Sequence, residues 1–213
     1  MTVGASNLTA AFGSALGVGV YDIGARARDL AGNWSAITTT MLVVYDPTIT
    51  IGVTGKNKKD LLASLTNGDI LPGLISSGQA DKADYGMTVS YRNGSLDTRN
   101  AFHFAYATGA NCGNANALNC HSFTLDATSF AWLVIDSTNN SRGRFQGLAT
   151  LAIDGITTTN PFTVQGTDGG RLTPSINDSL VLKVYAPSAD PTTASPVYQA
   201  SGSMASGTSV KIQ

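Results

Sequence analysis

The sequence predicts an all-β chain, an antiparallel sandwich or jelly-roll-like domain preceded by a shorter β segment, and three observations carry that expectation. Apolar residues alternate with polar ones at period two over most of the chain. All 14 acidic residues are Asp, with no Glu anywhere, so one of the better helix formers is missing. Thr, Val, Gly, Asn and Asp are abundant, which favours strands joined by turns.

Taking the elements in order, Tyr21, Ile23, Ala25 and Ala27 alternate towards one side, and Asp29 to Asn33 makes a turn. A long strand from Trp34 to Tyr45 follows, closed by Pro47. Lys58 to Leu65 is the one candidate helix, because Leu61, Leu62 and Leu65 fit an i, i+3, i+4 stripe for one or two turns. Tyr85, Met87, Val89 and Tyr91 then share a strand face. Asn93-Gly94 is a hairpin signal, in a loop expected to exceed two residues. Phe102, Phe104 and Tyr106 oppose Ala101, His103 and Ala105 on the next strand. Phe123 and Leu125 lead into Phe130 to Ile135, which is apolar on both faces and reads as a central strand covered from both sides. Phe145, Gly147, Ala149, Leu151 and Ile153 alternate, and Asp154-Gly155 turns the chain towards Phe162 and Val164. Beyond Asp168-Gly169-Gly170, Leu180, Leu182 and Val184 form a strand, with final strands near Val197 to Gln199 and Met204 to Ile212.

Charge excludes some partners. Only 13% of residues are charged and the net charge is −1, which gives no electrostatic footprint for nucleic acid. The largest basic cluster, Lys56, Lys58 and Lys59, has no interleaved aromatics and reads as a solvated loop. Apolar stretches are broken by Gly, Thr and Ser, so no membrane span is expected. Met1 is not followed by a basic and then an apolar region, so an export signal would belong to a longer parent chain.

Residues 16–33 carry a resemblance. Gly19-Val20-Tyr21 leads into a strand of small and aliphatic residues that ends in Asp29-Leu30-Ala31-Gly32-Asn33. This resembles the last third of a bacterial Ig-like repeat, covers residues 1–46 and lacks the repeat's front half. In such a repeat the Tyr is implied to bond the backbone near a strand corner. Residues 48–213 resemble the β-rich domain found after choice-of-anchor regions in exported bacterial proteins. That likeness rests on Tyr85-Gly86-Met87-Thr88-Val89-Ser90-Tyr91, on Phe123 to Ile135 with Ala131-Trp132-Leu133-Val134, and on Arg144-Phe145-Gln146-Gly147. It implies secreted or cell-surface localisation, a structural or adhesive role, and no catalytic residues. The resulting division is a partial Ig-like segment, 1–46, and a sandwich domain, 48–213.

Chemistry-bearing residues are sparse. Cys112 and Cys120 lie in an Asn- and Gly-rich loop. A disulfide closing about nine residues would add roughly 2.5 kcal/mol in the chain-entropy model; free thiols, or a metal site with His103 and His121, are the alternatives. No nucleophile-elbow motif accompanies the two histidines, and no metal or cofactor is expected. Asp126, Asp136 and Asp154 fall on or near strands. Asp29, Asp46, Asp69, Asp81, Asp84, Asp97, Asp168, Asp178 and Asp190 fall in turn-like contexts. Two Asp could converge on a structural calcium, although the chain has no Asp-x-Asp-x-Asp-Gly run. Trp34, Tyr91, Tyr106, Trp132, Tyr185 and Tyr198 are the aromatics able to build a sugar-stacking platform, with core packing expected for most and for Trp132 above all. The expected function is thus a non-enzymatic structural or adhesive module, with a carbohydrate-binding module of an exported enzyme as the alternative. Other surface proteins or glycans are the partners, and self-association through an N-terminal strand edge is a further option.

Overall fold

The computed structural model describes residues 16–46, 48, 50–55, 59–63, 81–107, 122–135, 140–204 and 208–212. Among these the protein is all-β, and every strand pairing is antiparallel. The strands are β1 (Gly19–Ala25), β2 (Thr38–Val44), β3 (Thr50–Gly55), β4 (Lys59–Ala63), β5 (Asp81–Arg92) and β6 (Ser95–Leu96). They continue with β7 (Ala101–Ala107), β8 (Ser122–Ile135), β9 (Arg142–Ile153), β10 (Ile156–Thr167), β11 (Ser179–Val184), β12 (Tyr198–Met204) and β13 (Thr208–Ile212). A single 3₁₀ turn, Gly169–Arg171, lies between β10 and β11.

β1 and β2 pair only with each other. The remaining strands form one sheet that folds over and meets itself. From β5 the hydrogen-bonded path runs through β4, β12, β11, β10, β9, β8 and β7, and the β7–β5 pairing returns it to its start. β3 and β13 extend the same lanes, since β3 pairs with both β5 and β13. A ring of about eight strands has an interior that side chains can fill. Here the ring is flattened into sandwich-like layers. Phe102 on β7 stacks on Phe162 of β10, three lanes away along the path, with centroids 5.4 Å apart. Phe145 meets both rings edge-on, at 5.5 and 6.1 Å.

The core follows from the period-two pattern. Tyr85, Met87, Val89, Phe102, Phe104, Phe123, Leu125, Phe145, Leu151, Phe162, Val164, Leu180, Leu182 and Val184 all point inward and are buried. Offset and edge-to-face aromatic pairs of this kind add about 0.5–1.5 kcal/mol each beyond area burial. Within this cluster the Tyr85 hydroxyl has no hydrogen-bond partner among the described residues. Burial, and secondarily the charge of Asp178, push its ionisation far up.

β8 is the strand on which layers and surface both turn. Its register against β9 slips twice, between Ala127 and Ser129 and between Phe130 and Trp132. Each slip inserts one unpaired residue, so the strand bends and the inward phase moves from odd to even numbers and back. Ala127, Phe130 and Leu133 therefore all face Ala149, Gly147 and Phe145 on the inner side. Trp132 is left opposite Gln146, on the outer side. Gly147 permits this, because a Cβ there would lie 2.0 Å from the Ser129 carbonyl oxygen. Beyond Asp126 the edge of β8 has no β7 partner. The Tyr91 hydroxyl serves part of it, accepting from Leu133 N–H at 3.1 Å and donating to Leu133 C=O at 3.2 Å.

The β1–β2 sheet lies against β8. Tyr45, just past β2, stacks on Tyr91 with centroids 3.9 Å apart and donates to Gly94 C=O at 2.6 Å. Tyr21 donates its hydroxyl to Gly17 C=O, four residues back, at 2.9 Å. The turn between β1 and β2 is knit by Asp29, whose carboxylate accepts from Asn33 N–H at 2.8 Å and from Asn33 Nδ2 at 3.0 Å. Gly32 sits there at φ 93°, a left-handed conformation that suits glycine.

Three sequence expectations need correction. Lys59–Ala63 is a strand rather than a helical turn, because its backbone pairs with β5 on one edge and β12 on the other. A five-residue helix gains little against its nucleation cost, whereas two partner strands satisfy the same groups. Asn93-Gly94 is a tight two-residue turn after all, with Arg92 paired to Ser95 and positive φ at both residues (52° and 79°). It leads into the short β6, not into β7. Asp81 and Asp84 lie within β5, not in turns.

Three substitutions test the packing account, two by urea unfolding and one by melting temperature. Gly147→Ala is expected to cost more than about 2 kcal/mol, because the new methyl group collides with backbone. Gly86→Ala, with nothing within 4 Å of its Cβ, is expected to be neutral or stabilising. Tyr85→Phe is expected to hold or raise the melting temperature, since it removes an unpartnered buried hydroxyl; a loss above about 1 kcal/mol would contradict that.

Candidate functional site

Paired strands place outward side chains in cross-strand rows, and two such rows build the floor of a cleft. The first runs Trp132, Gln146, Thr163, Lys183 across β8, β9, β10 and β11. The second, two residues along, runs Arg144, Gln165, Val181 across β9, β10 and β11, with buried Val134 of β8 beside Arg144 but outside the lining. With strands ~4.8 Å apart, the first row spans roughly 14 Å. Tyr185, Pro191 and Thr192 from the β11–β12 connection and Val20 of β1 form the walls. The enclosed space is about 330 Å³.

The floor groups on β9, β10 and β11 sit on strands held by backbone pairing, those of β10 and β11 on both edges. The walls are held by specific bonds. Tyr185 is buried, its hydroxyl lies 3.3 Å from Thr163 Oγ1, and its N–H donates to Pro161 C=O. Buried Asn160 donates from Nδ2 to Tyr185 C=O at 2.7 Å and accepts from Thr158 Oγ1. Thr192 donates both its N–H (2.9 Å) and its hydroxyl (2.8 Å) to one carboxylate oxygen of Asp190. Those two bonds hold the Asp190 carboxyl below its ordinary range.

Two features of the lining stand out chemically. Arg144 and Lys183 are both cationic, and among the described residues no carboxylate lies within ion-pair distance of either. Trp132 is 7% exposed, yet its indole N–H has no acceptor among the described residues. An N–H can only donate, and leaving one buried and unpaired costs about 1–3 kcal/mol.

The aromatic platform expected from the sequence does not assemble as one plane. Trp132 and Tyr185 line the cleft, and Trp132 lies on the outer face, apart from the main core cluster. Tyr91 is stacked under Tyr45, and Tyr198 packs edge-on against Phe123 at 5.7 Å. Trp34 is exposed at the far end of the β1–β2 sheet, with the Arg26 guanidinium 4.1 Å above its ring. The side chain of Tyr106 falls outside the described residues. The sequence marks none of Arg144, Gln146, Thr163, Gln165 and Lys183 as a binding residue: the first two appear there only in a strand likeness and the other three in no motif. The available signal was their phase: each occupies an outward position between core residues on adjoining strands.

Other candidates do not meet at this cleft. His103 and Asp126 are directly opposite on β7 and β8, with Nδ1 and Oδ1 2.6 Å apart on the exposed surface. The neighbour of His103 on its other side is Gly86, which offers no hydroxyl to activate. Among the described residues no three His, Cys, Asp or Glu side chains gather as a metal site. Cys112, Cys120, His121 and the Lys56 and Lys58 part of the basic cluster lie outside the described residues. A second cavity of about 440 Å³, between the β9–β10 hairpin and residues 186–198, is walled mostly by Leu151, Ile153, Ile156, Val197 and Tyr198. It lacks the opposed polar rows of the first. Among the described residues no helix is long and apolar enough to cross a membrane.

Comparison of the chain with known protein families, with curated proteins and with solved structures finds no match.

The Asp190 bonds give a pH prediction. A folded value below the unfolded one means the carboxylate's contribution is complete above about pH 4 and fades as pH falls through the folded value. The protection factor of the Thr192 amide, taken relative to intrinsic exchange at each pH, should therefore fall on acidification. Asp190→Ala should produce the same loss of protection at neutral pH, and unchanged protection in that variant would refute the assignment.

Proposed function

We propose that this chain is a non-enzymatic adhesive module of an exported bacterial surface protein, and that it adheres through the outer face of β8 to β11. The observation that carries the reading is the cross-strand row Trp132, Gln146, Thr163, Lys183 beneath a walled cleft. Ligand sites are typically concave, partly apolar and furnished with a few fixed polar groups, and this cleft has that composition. Binding rather than turnover is favoured by the kinds of group present: guanidinium, ammonium, amide, hydroxyl and indole side chains hold a ligand well. The low charge, the Thr- and Asn-rich composition and the Ig-like and choice-of-anchor resemblances support an extracellular setting.

The cleft also suits the alternative of a carbohydrate-binding module. That reading differs in what the module is attached to rather than in which face it uses.

The test is a glycan array and a whole-cell adhesion assay with the intact chain. Gln146→Ala and Lys183→Ala are expected to reduce retention several-fold while leaving the melting temperature within about 2 °C, since outward strand positions contribute little to stability. Hydrolysis of any ester or glycoside, abolished by changing a single Asp or His, would overturn the non-enzymatic reading.

A further inference from the structure

Resting on the reading of the β8–β11 face as the binding face, we infer that its ligand is an acidic oligosaccharide carrying carboxylate groups. Three features of the cleft converge on that class.

The lining is rich in donors. Arg144 and Lys183 donate only, as does the Trp132 indole, and Asp is absent from the lining residues. The carboxylate nearest in sequence, Asp190, is already engaged by Thr192. A ligand must therefore bring acceptors, and negative ones are favoured by two cations that lack an anionic partner among the described residues. An Arg fork matches a planar carboxylate with two parallel hydrogen bonds.

The spacing fits a chain of sugars rather than one small anion. Arg144 lies in the second row on β9 and Lys183 in the first row on β11, with β10 between them. Two lanes separate their backbones by roughly 10 Å. An oligomer with repeated carboxylates can present one to each cation, whereas a single small anion meets both only if the two side chains lean together.

The groups between the cations suit hydroxyls. Gln146, Thr163 and Gln165 fill the interval, and each can both donate and accept. Tyr185 and Trp132 add aromatic surface at the wall. A purely anionic peptide would use the cations and leave these amides and hydroxyls less well matched.

Calorimetry on the whole chain tests the inference. The probes are oligogalacturonate, oligoalginate and hyaluronan fragments, each beside its carboxyl-reduced or fully methyl-esterified counterpart, with oligo-aspartate as a peptide control. The acidic form of at least one sugar is expected to bind about tenfold or more tightly than its neutral counterpart and than the peptide, weakening as salt rises. Lys183→Gln and Arg144→Gln should each remove about tenfold of that affinity. Trp132→Phe, which keeps a ring but loses the N–H, should weaken binding without lowering the melting temperature. Equal binding of the neutral and acidic forms would overturn the inference and leave the adhesive reading standing, as would tighter binding of the peptide. Should no acidic sugar bind, the inference falls; should the glycan array also be blank, the proposed function falls with it.

Discussion

The close approach of β8 to β9 over Gly147 is the constraint on which both the core and the cleft depend. Two register slips within six residues of one strand are costly in ladder hydrogen bonds, and they are tolerated because the neighbouring strand has no Cβ at the contact. Without the slips, strict alternation would send Phe130 and Leu133 to opposite faces. With them, Phe130 turns inward to meet Phe145 and Phe162, while Trp132, outward in either case, is set opposite Gln146 on the floor of the cleft. Packing and recognition thus share one backbone irregularity.

Closure of the sheet removes a second difficulty. Long antiparallel sheets leave two edges able to pair with other chains. The β5–β7 pairing closes the eight-strand ring at β7, and the stretch of β8 beyond Asp126 that β7 does not reach is partly served by the Tyr91 hydroxyl and faced by the β1–β2 sheet. The stacked pair Tyr45 and Tyr91 links the two sheets at that point. Val20 of β1 also lines the cleft, so the N-terminal sheet has a part in the site although, among the described residues, it shares no strand pairing with the large one.

Polar atoms divide into those the fold satisfies and those it does not. Asp29, Asp46 and Asp97 each accept hydrogen bonds within their own turns, and all three are held below the usual carboxylate range by those bonds. Asp178 reaches further, accepting from Gly169 and Val210 and tying the 3₁₀ turn to β13. Against this background, the cleft combines an indole N–H and two cations, none of which has an acceptor or carboxylate partner among the described residues.

The sequence by itself determined the class of fold, most strand positions and the inward faces, because burial of alternate residues writes a period of two directly into the chain. It also marked Asp154-Gly155 as a turn, where positive φ at both residues matches the two-residue connection. Only the tertiary structure decided that Lys59–Ala63 is a strand, that β5 meets β7, and that Trp132 faces outward, since each depends on which distant backbone lies alongside. The cleft was illegible for the same reason. Its residues come from four strands and become neighbours through register, which local pattern does not encode.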